Sequence, residues 1–165
     1  MASKTLSDLL LLGDPRLYQV CTPIEMQERH LVSSWVADLH QVMEAVRAKY
    51  HFGRAIAAPQ LGIMKRLIYL NIDGPEVFIN PVLTDLSEEL FEVWDDCMCF
   101  PNLLVRVNRH KSLKIKYLDE NWHPREQMLE GDLSELLQHE YDHLDGILCT
   151  MRAIDQQSFR WRITP

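Results

Sequence analysis

Gln138-His139-Glu140-Tyr141-Asp142-His143-Leu144-Asp145-Gly146 is the stretch from which the rest of this chain is read. It holds two histidines four positions apart, with a carboxylate directly after the first. Four residues of α-helix advance about 400°, so His139 and His143 project from one face, one turn apart. That is the separation two imidazoles need to grip one divalent cation. Glu140 is offset by about 100°, within reach of a water at the metal's open position without being a ligand. Leu133, Leu136, Leu137 and Leu144 give the segment an apolar face and put the histidines near a core. The predicted helix spans about 133 to 145 and closes at Gly146, a C-cap position.

Working outward, the 165 residues suit one domain, 1–165, with the tail from about 151 lacking a clear period. Hydrophobic residues are 47% and charged residues 25%, as in an ordinary globular chain. A formal net charge of −7 with no Lys/Arg run argues against a nucleic-acid partner. No apolar run approaches a membrane span, and the first residues read as neither a secretory signal nor an Arg-rich transit peptide. The four cysteines, Cys21, Cys97, Cys99 and Cys149, are too few and irregular for a disulfide scaffold, so reduced intracellular thiols are expected.

Upstream, Leu31, Trp35, Leu39, Val42, Met43 and Val46 have helical spacing over about 31–50, with His40 and Arg47 expected on a solvated face. Small residues at Gly53, Ala55, Ala57 and Ala58 allow close approach to the backbone. Strands are expected at 66–72, 77–83, 103–107, 112–118 and 122–129, with Asn80-Pro81 interrupting regular pairing. Residues 87–94 read as loop or strand. Strands in the middle with a helix before and a helix after predict an α+β fold.

A catalytic metal site needs a third protein ligand and an open position. After His143 the chain has no His and no Glu. His143-Leu144-Asp145-Gly146-Ile147-Leu148-Cys149 mimics the His-x-x-Gly-x-x-His of metzincin proteases with Cys at the last place, although Cys149 also reads as a small buried apolar residue. Cys97 and Cys99 are the other candidates; in extended backbone only one of them would face the metal, and spacing does not choose.

Three motifs in order resemble the peptide deformylase family: Gly53 to Gln60, Asp95 to Cys99, and Gln138 to His143. Gly13-Asp14-Pro15-x-Leu17 and Ile79-Asn80-Pro81 are also similar to family segments. The resemblance spans about 9–150. It implies antiparallel sheets packed around the motif-bearing helix, with Cys97, His139 and His143 as ligands of one divalent ion. That ion would be Fe²⁺ in the cell, with Zn²⁺, Ni²⁺ or Co²⁺ as replacements. It implies hydrolysis of the N-formyl group from N-terminal methionine of nascent polypeptides, with formate released. Glu140 would move the proton, while the Gln60 amide and the Met98 backbone N–H would hold the formyl oxygen. Gly53, Arg54, Ala55, Asp96, Asp132, Glu135 and Leu136 would bound the substrate, with the Ala55 carbonyl taking the formamide N–H. Asp142 would fix the helix, and an Asp95–Arg109 pair would brace the Cys97 loop. Bacterial cytoplasm, mitochondrion or plastid all suit such chemistry, and the ribosome exit region is a possible neighbour.

The chain also departs from the family pattern. Asp96 and Ala55 stand where the family has Gly. Arg54, Asp132 and Glu135 stand where it is mostly apolar, around the methionine pocket. Buried charge must pair or stay wet, so either Arg54 pairs with Glu135 or Asp132 across the pocket, or these groups face solvent. The alternatives are therefore a deformylase-like enzyme with another amide substrate or little activity, a non-catalytic metal protein, and a metzincin-like protease.

Overall fold

The computed structural model describes residues 3–163. In chain order it contains α1 (Arg29–Tyr50), β1 (Ala55–Ala57), β2 (Leu67–Asn71), β3 (Pro75–Thr84), β4 (Leu90–Asp96), β5 (Leu103–His110), β6 (Ser112–Leu118), β7 (Pro124–Glu130), α2 (Asp132–Leu144) and β8 (Phe159–Trp161). One sheet has the order β1-β2-β3-β6-β7 and the other β4-β5-β8, every neighbouring pair antiparallel. The fold is α+β, and α2 is the motif helix.

Successive side chains on a strand point to opposite faces, and the larger sheet uses both. On β2, Leu67 and Tyr69 join the core formed with Leu39, Val42, Met43 and Val46 of α1. Ile68 and Leu70, one step out of phase, pack with Leu136, Leu137 and Leu144 of α2, together with Leu113 and Ile115 of β6. The sheet is thus sandwiched between the two helices. This accounts for the nearly continuous apolar run of β2, since a strand covered on both sides has no polar face. A third cluster of Val105, Val107, Cys97, Cys99, Leu148 and Cys149 fills the smaller sheet's inner side.

Asn80 has φ +50, and the β3–β6 register shifts between Ile79 and Val82. The disruption expected at Asn80-Pro81 is therefore a bulge. It frees the Asn80 side chain to exchange hydrogen bonds with Ile24 N–H and C=O, anchoring the N-terminal segment. Residues 90–96 are strand rather than loop, paired along their whole length with β5.

Gly146 holds φ +70 just past α2, and a Cβ there would fall 2.6 Å from the Tyr18 carbonyl. Only glycine lets the end of the motif helix sit against residues 18–19.

Two expectations are corrected. Leu133 is 40% exposed; it lies on the outer side of the first turn, and the buried stripe begins at Ser134 and Leu136. Arg47 does not lie on an idle solvated face: its guanidinium donates to the carbonyls of Gly53 and Asn71, tying α1 to the segment that enters β1. Among the described residues no helix is long and apolar enough to cross a membrane.

Candidate active site

The third turn of α2 faces the end of β4 across the smaller core. His139 Nε2 lies 3.2 Å from His143 Nε2, and Cys97 Sγ lies 3.4 Å from His143 Nε2. All three side chains are buried, and their ligand atoms fall within 4.8 Å of one another. Bonds of about 2.0–2.1 Å to nitrogen and about 2.3 Å to sulfur at tetrahedral angles would put two nitrogens about 3.3 Å apart, and nitrogen and sulfur about 3.6 Å apart. The two spacings observed match two sides of that triangle, and the third lies within 4.8 Å. The donor set of one sulfur and two imidazoles suits a late divalent metal. Glu140 Oε2 is buried with no hydrogen-bond partner in the protein, as in a polar pocket shaped around something else. The residues present therefore fit a metal ion.

The surroundings orient these groups. His139 turns its other nitrogen, Nδ1, to within 2.9 Å of Asp95 Oδ1, an ion-pair contact without a well-aligned hydrogen bond. Asp95 Oδ2 takes Arg109 Nη2 at 2.7 Å. Arg109 Nη1 reaches Asp142 Oδ2 at 2.6 Å, and Arg152 grips both oxygens of the same carboxylate. Gln138 exchanges hydrogen bonds with both the N–H and the C=O of His110, pinning α2 to β5. Cys149 belongs to the opposite edge of His139, grouped with Asp95 rather than with His143.

Electrostatics follow from burial. Burial pushes the Glu140 carboxyl up to about 7, although His139 opposes it. Burial drives His143 well below the usual imidazole range, and His139 pushes the same way. Burial acts likewise on His139, but the Asp95 carboxylate overrides it and holds that ring well above its ordinary value. Burial would raise Asp95, yet His139 and Arg109 together hold it down to about 2. Burial and the neighbouring Cys99 hold the Cys97 thiol well above its ordinary range. A nearby cation reverses that logic for a thiol and a neutral imidazole.

Gln60 sits in the 3-10 turn Ala58–Leu61 that follows β1. Its Oε1 accepts the Ala57 N–H at 2.8 Å, so its NH₂ must turn inward, 3.7 Å from Cys97 Sγ and 3.5 Å from Cys99 Sγ. Gly53, at φ +126, gives way to the Met98 side chain: a Cβ would stand 2.8 Å from Met98 Cε.

These groups open onto a cavity of about 260 Å³ lined by Phe52, Gly53, Arg54, Ala55, Gln60, Asp95, Asp96, Cys97, Met98, Glu135, Leu136, His139 and Glu140. Arg54 Nη2 meets Glu135 Oε1 at 2.5 Å within that wall. Asp132 is not among the lining residues and makes no ion pair among the described residues. Asp96 has no positive φ, and its charge meets Arg162 Nη2 at 2.5 Å. Phe52 is a part of the cleft that sequence reasoning missed, and Arg162 backs that wall through Asp96 and Phe52. The Arg162 guanidinium lies 4.3 Å from the Phe52 ring centroid and also donates to the Pro101 carbonyl. Its only signal was an arginine-rich tail.

An α2 helix carrying His-Glu-x-x-His, with a thiol delivered by a neighbouring strand end, defines a metallohydrolase of the thiolate–imidazole kind. The family described as polypeptide deformylase matches residues 6–159. The chain belongs to that family, metal-dependent hydrolases that remove N-formyl groups from nascent polypeptides. Peptide deformylase 1 of Prochlorococcus marinus is 32% identical over 164 residues, covering 92% of this chain and 83% of that relative. The Treponema pallidum peptide deformylase is 34% identical over 142 residues, covering 86% and 84%. Among solved structures, a Synechococcus elongatus peptide deformylase in complex with actinonin has a TM-score of 0.84 at 30% identity, covering 96% of this chain and 86% of that one. A class I type b enzyme from Acinetobacter baumannii bound to Met-Ala-Ser has a TM-score of 0.75 at 29% identity, covering 87% and 96%.

Proposed function

We propose that this chain hydrolyses the formamide of N-formyl peptides at the cavity beside α2, with Cys97 Sγ, His139 Nε2 and His143 Nε2 as the ligands of one divalent ion. The observation that carries the reading is the fit of that triangle of donor atoms, with Glu140 and the Gln60 amide opening onto the same cavity. When bound, the ion supplies Lewis-acid polarisation and lowers the pKa of water.

The protein's own groups do the rest. Glu140 accepts a proton from the attacking water and hands it to the departing amine nitrogen, so formamide and water become formate and a free N-terminus. Gln60 Nε2 and the Met98 backbone N–H donate to the formyl oxygen as negative charge builds there. Gln60 is suited to this because the Ala57 N–H already fixes its orientation. The Ala55 carbonyl accepts the formamide N–H and aligns the scissile bond. Asp95 and Arg109 hold the His139 ring, and Asp142 holds α2.

Fe²⁺ is the proposed ion in a reducing compartment, with Zn²⁺, Ni²⁺ or Co²⁺ able to take its place. Formylated N-termini come from bacterial-type translation, so this reading implies bacterial cytoplasm, mitochondrion or plastid, and work near the ribosome exit. Formate release from formyl-Met-Ala-Ser after anaerobic metal loading tests the proposal. No formate from any formylated peptide, with metal bound, overturns it. The Arg54–Glu135 pair supports a second reading, in which the reaction is the same and the preferred peptide differs.

A further inference from the structure

The wall next to the reacting groups is not the surface a thioether or an alkyl chain would choose. The cavity that holds Glu140 and Gln60 is also lined by Phe52, Gly53, Arg54, Glu135 and Leu136. Arg54 and Glu135 form an ion pair there at 2.5 Å, joining the start of β1 to the first turn of α2. Glu135 is 13% exposed and Arg54 42% exposed, and both line the cleft. The bond uses Oε1 of Glu135 and one nitrogen of Arg54; no other side-chain hydrogen bond is made by either residue among the described residues. One carboxylate oxygen and several guanidinium N–H groups therefore remain to be satisfied by water or by a ligand.

An aliphatic side chain entering this space shields the pair from water and returns nothing, a cost that falls mainly on the more buried Glu135. A side chain with a donor and an acceptor at its tip restores both: its N–H can reach the free oxygen of Glu135, and its oxygen can take an Arg54 N–H. A charged tip of either sign would compete with one partner of the pair for the other. The match is a neutral carboxamide.

Resting on the deformylase reading above, we propose that the Arg54–Glu135 pair makes this subsite select a first residue with a neutral hydrogen-bonding side chain of about methionine's length, glutamine being the model, over an aliphatic one of equal length.

The test uses the metal-loaded protein with formyl-Gln-Ala-Ser and formyl-Nle-Ala-Ser, norleucine being the aliphatic match. Formate release is followed for both, and binding of the products Gln-Ala-Ser and Nle-Ala-Ser is measured by calorimetry. The expected result is a kcat/KM ratio of about tenfold or more in favour of glutamine, with product affinities in the same order. In the double variant Arg54→Met/Glu135→Leu, which removes both charges together, the preference reverses toward norleucine. Norleucine favoured by the unaltered protein in turnover or in product binding overturns the inference without any variant being needed. So does a double variant that folds and keeps the original ratio. Formate from both peptides with no discrimination sinks this inference alone. No formate from either, with metal bound, sinks the deformylase reading and this inference with it.

Discussion

Arg109 Nη2 stands 2.7 Å from Asp95 Oδ2 in a region closed to solvent, and the guanidinium's other terminal nitrogen is on Asp142. One cation therefore neutralises a carboxylate of β4 and one of α2, the two elements that carry Cys97 and the histidines. Removing it leaves two buried anions short of a partner. Arg109→Met is expected to lower unfolding free energy by about 3–5 kcal/mol, read from urea transitions, because a broken buried pair leaves uncompensated charge. A loss below 1 kcal/mol would mean that Arg152 alone satisfies Asp142.

Metal content separates the three thiols that the sequence left open. Cys97→Ser is expected to abolish stoichiometric metal by elemental analysis, while Cys99→Ser and Cys149→Ser retain it. Chelation should lower the melting temperature of the unaltered protein and not of Cys97→Ser. Binding to the folded state alone stabilises by about 2.7 kcal/mol at a hundredfold excess over Kd. Metal retained by Cys97→Ser and lost from Cys149→Ser would revive the protease-like arrangement.

Glu140 and Gln60 should differ from the ligands in kind. Glu140→Gln keeps its metal and loses about 10²–10⁴-fold in kcat. Gln60→Ala keeps its metal and loses about 10²–10³-fold, the range for one oxyanion donor. Steady-state rates beside elemental analysis decide this. Metal loss in Glu140→Gln would contradict the proton role.

Arg162 connects two walls of the cleft, taking Asp96 by charge and Phe52 by its face. We expect Arg162→Ala to raise KM roughly fivefold, the equivalent of about 1 kcal/mol, with a smaller change in kcat. Arg162→Lys should recover part of the loss by keeping the charge without the flat stack. A fall in kcat with KM unchanged would point to a smaller folded fraction instead.

Cys21 gives a pH signature away from the metal. It is 3% exposed, and burial pushes its thiol from 9.0 up to about 11, with Arg66 opposing and Asp145 assisting. The folded chain keeps this proton to higher pH than the unfolded chain does. The stability it carries is complete below about pH 9 and declines as pH rises toward 11. Cys21→Ala should flatten the stability profile between those limits relative to the unaltered protein. An unchanged slope would show that other groups set it.

The metal helix was legible because the i,i+4 rule fixes where His139 and His143 point whatever the rest of the chain does. The strands at 67–71 and 112–118 were legible from their apolar patterning. The choice among Cys97, Cys99 and Cys149 was not legible from spacing, since it depends on how β4 meets α2 across more than forty residues of sequence. Arg47 and Arg162 illustrate the same limit. A long cationic side chain looks solvated in sequence, and only packing reveals which carbonyls and rings lie within its reach. Residues 87–94 read ambiguously because the pattern there has no fully buried position; pairing with β5 makes 90–96 a strand. The Arg54–Glu135 alternative was visible as three misplaced charges, and geometry chose one partner and left Asp132 aside.

Cys97 and His143 are 46 positions apart in the chain, with β5, β6 and β7 between them. The triangle of donor atoms is thus a late event in folding, because its closure waits on non-local strand pairing rather than on α2 alone. Metal capture is then expected to lag behind the helix signal in refolding and to keep pace with the pairing of β4 with β5.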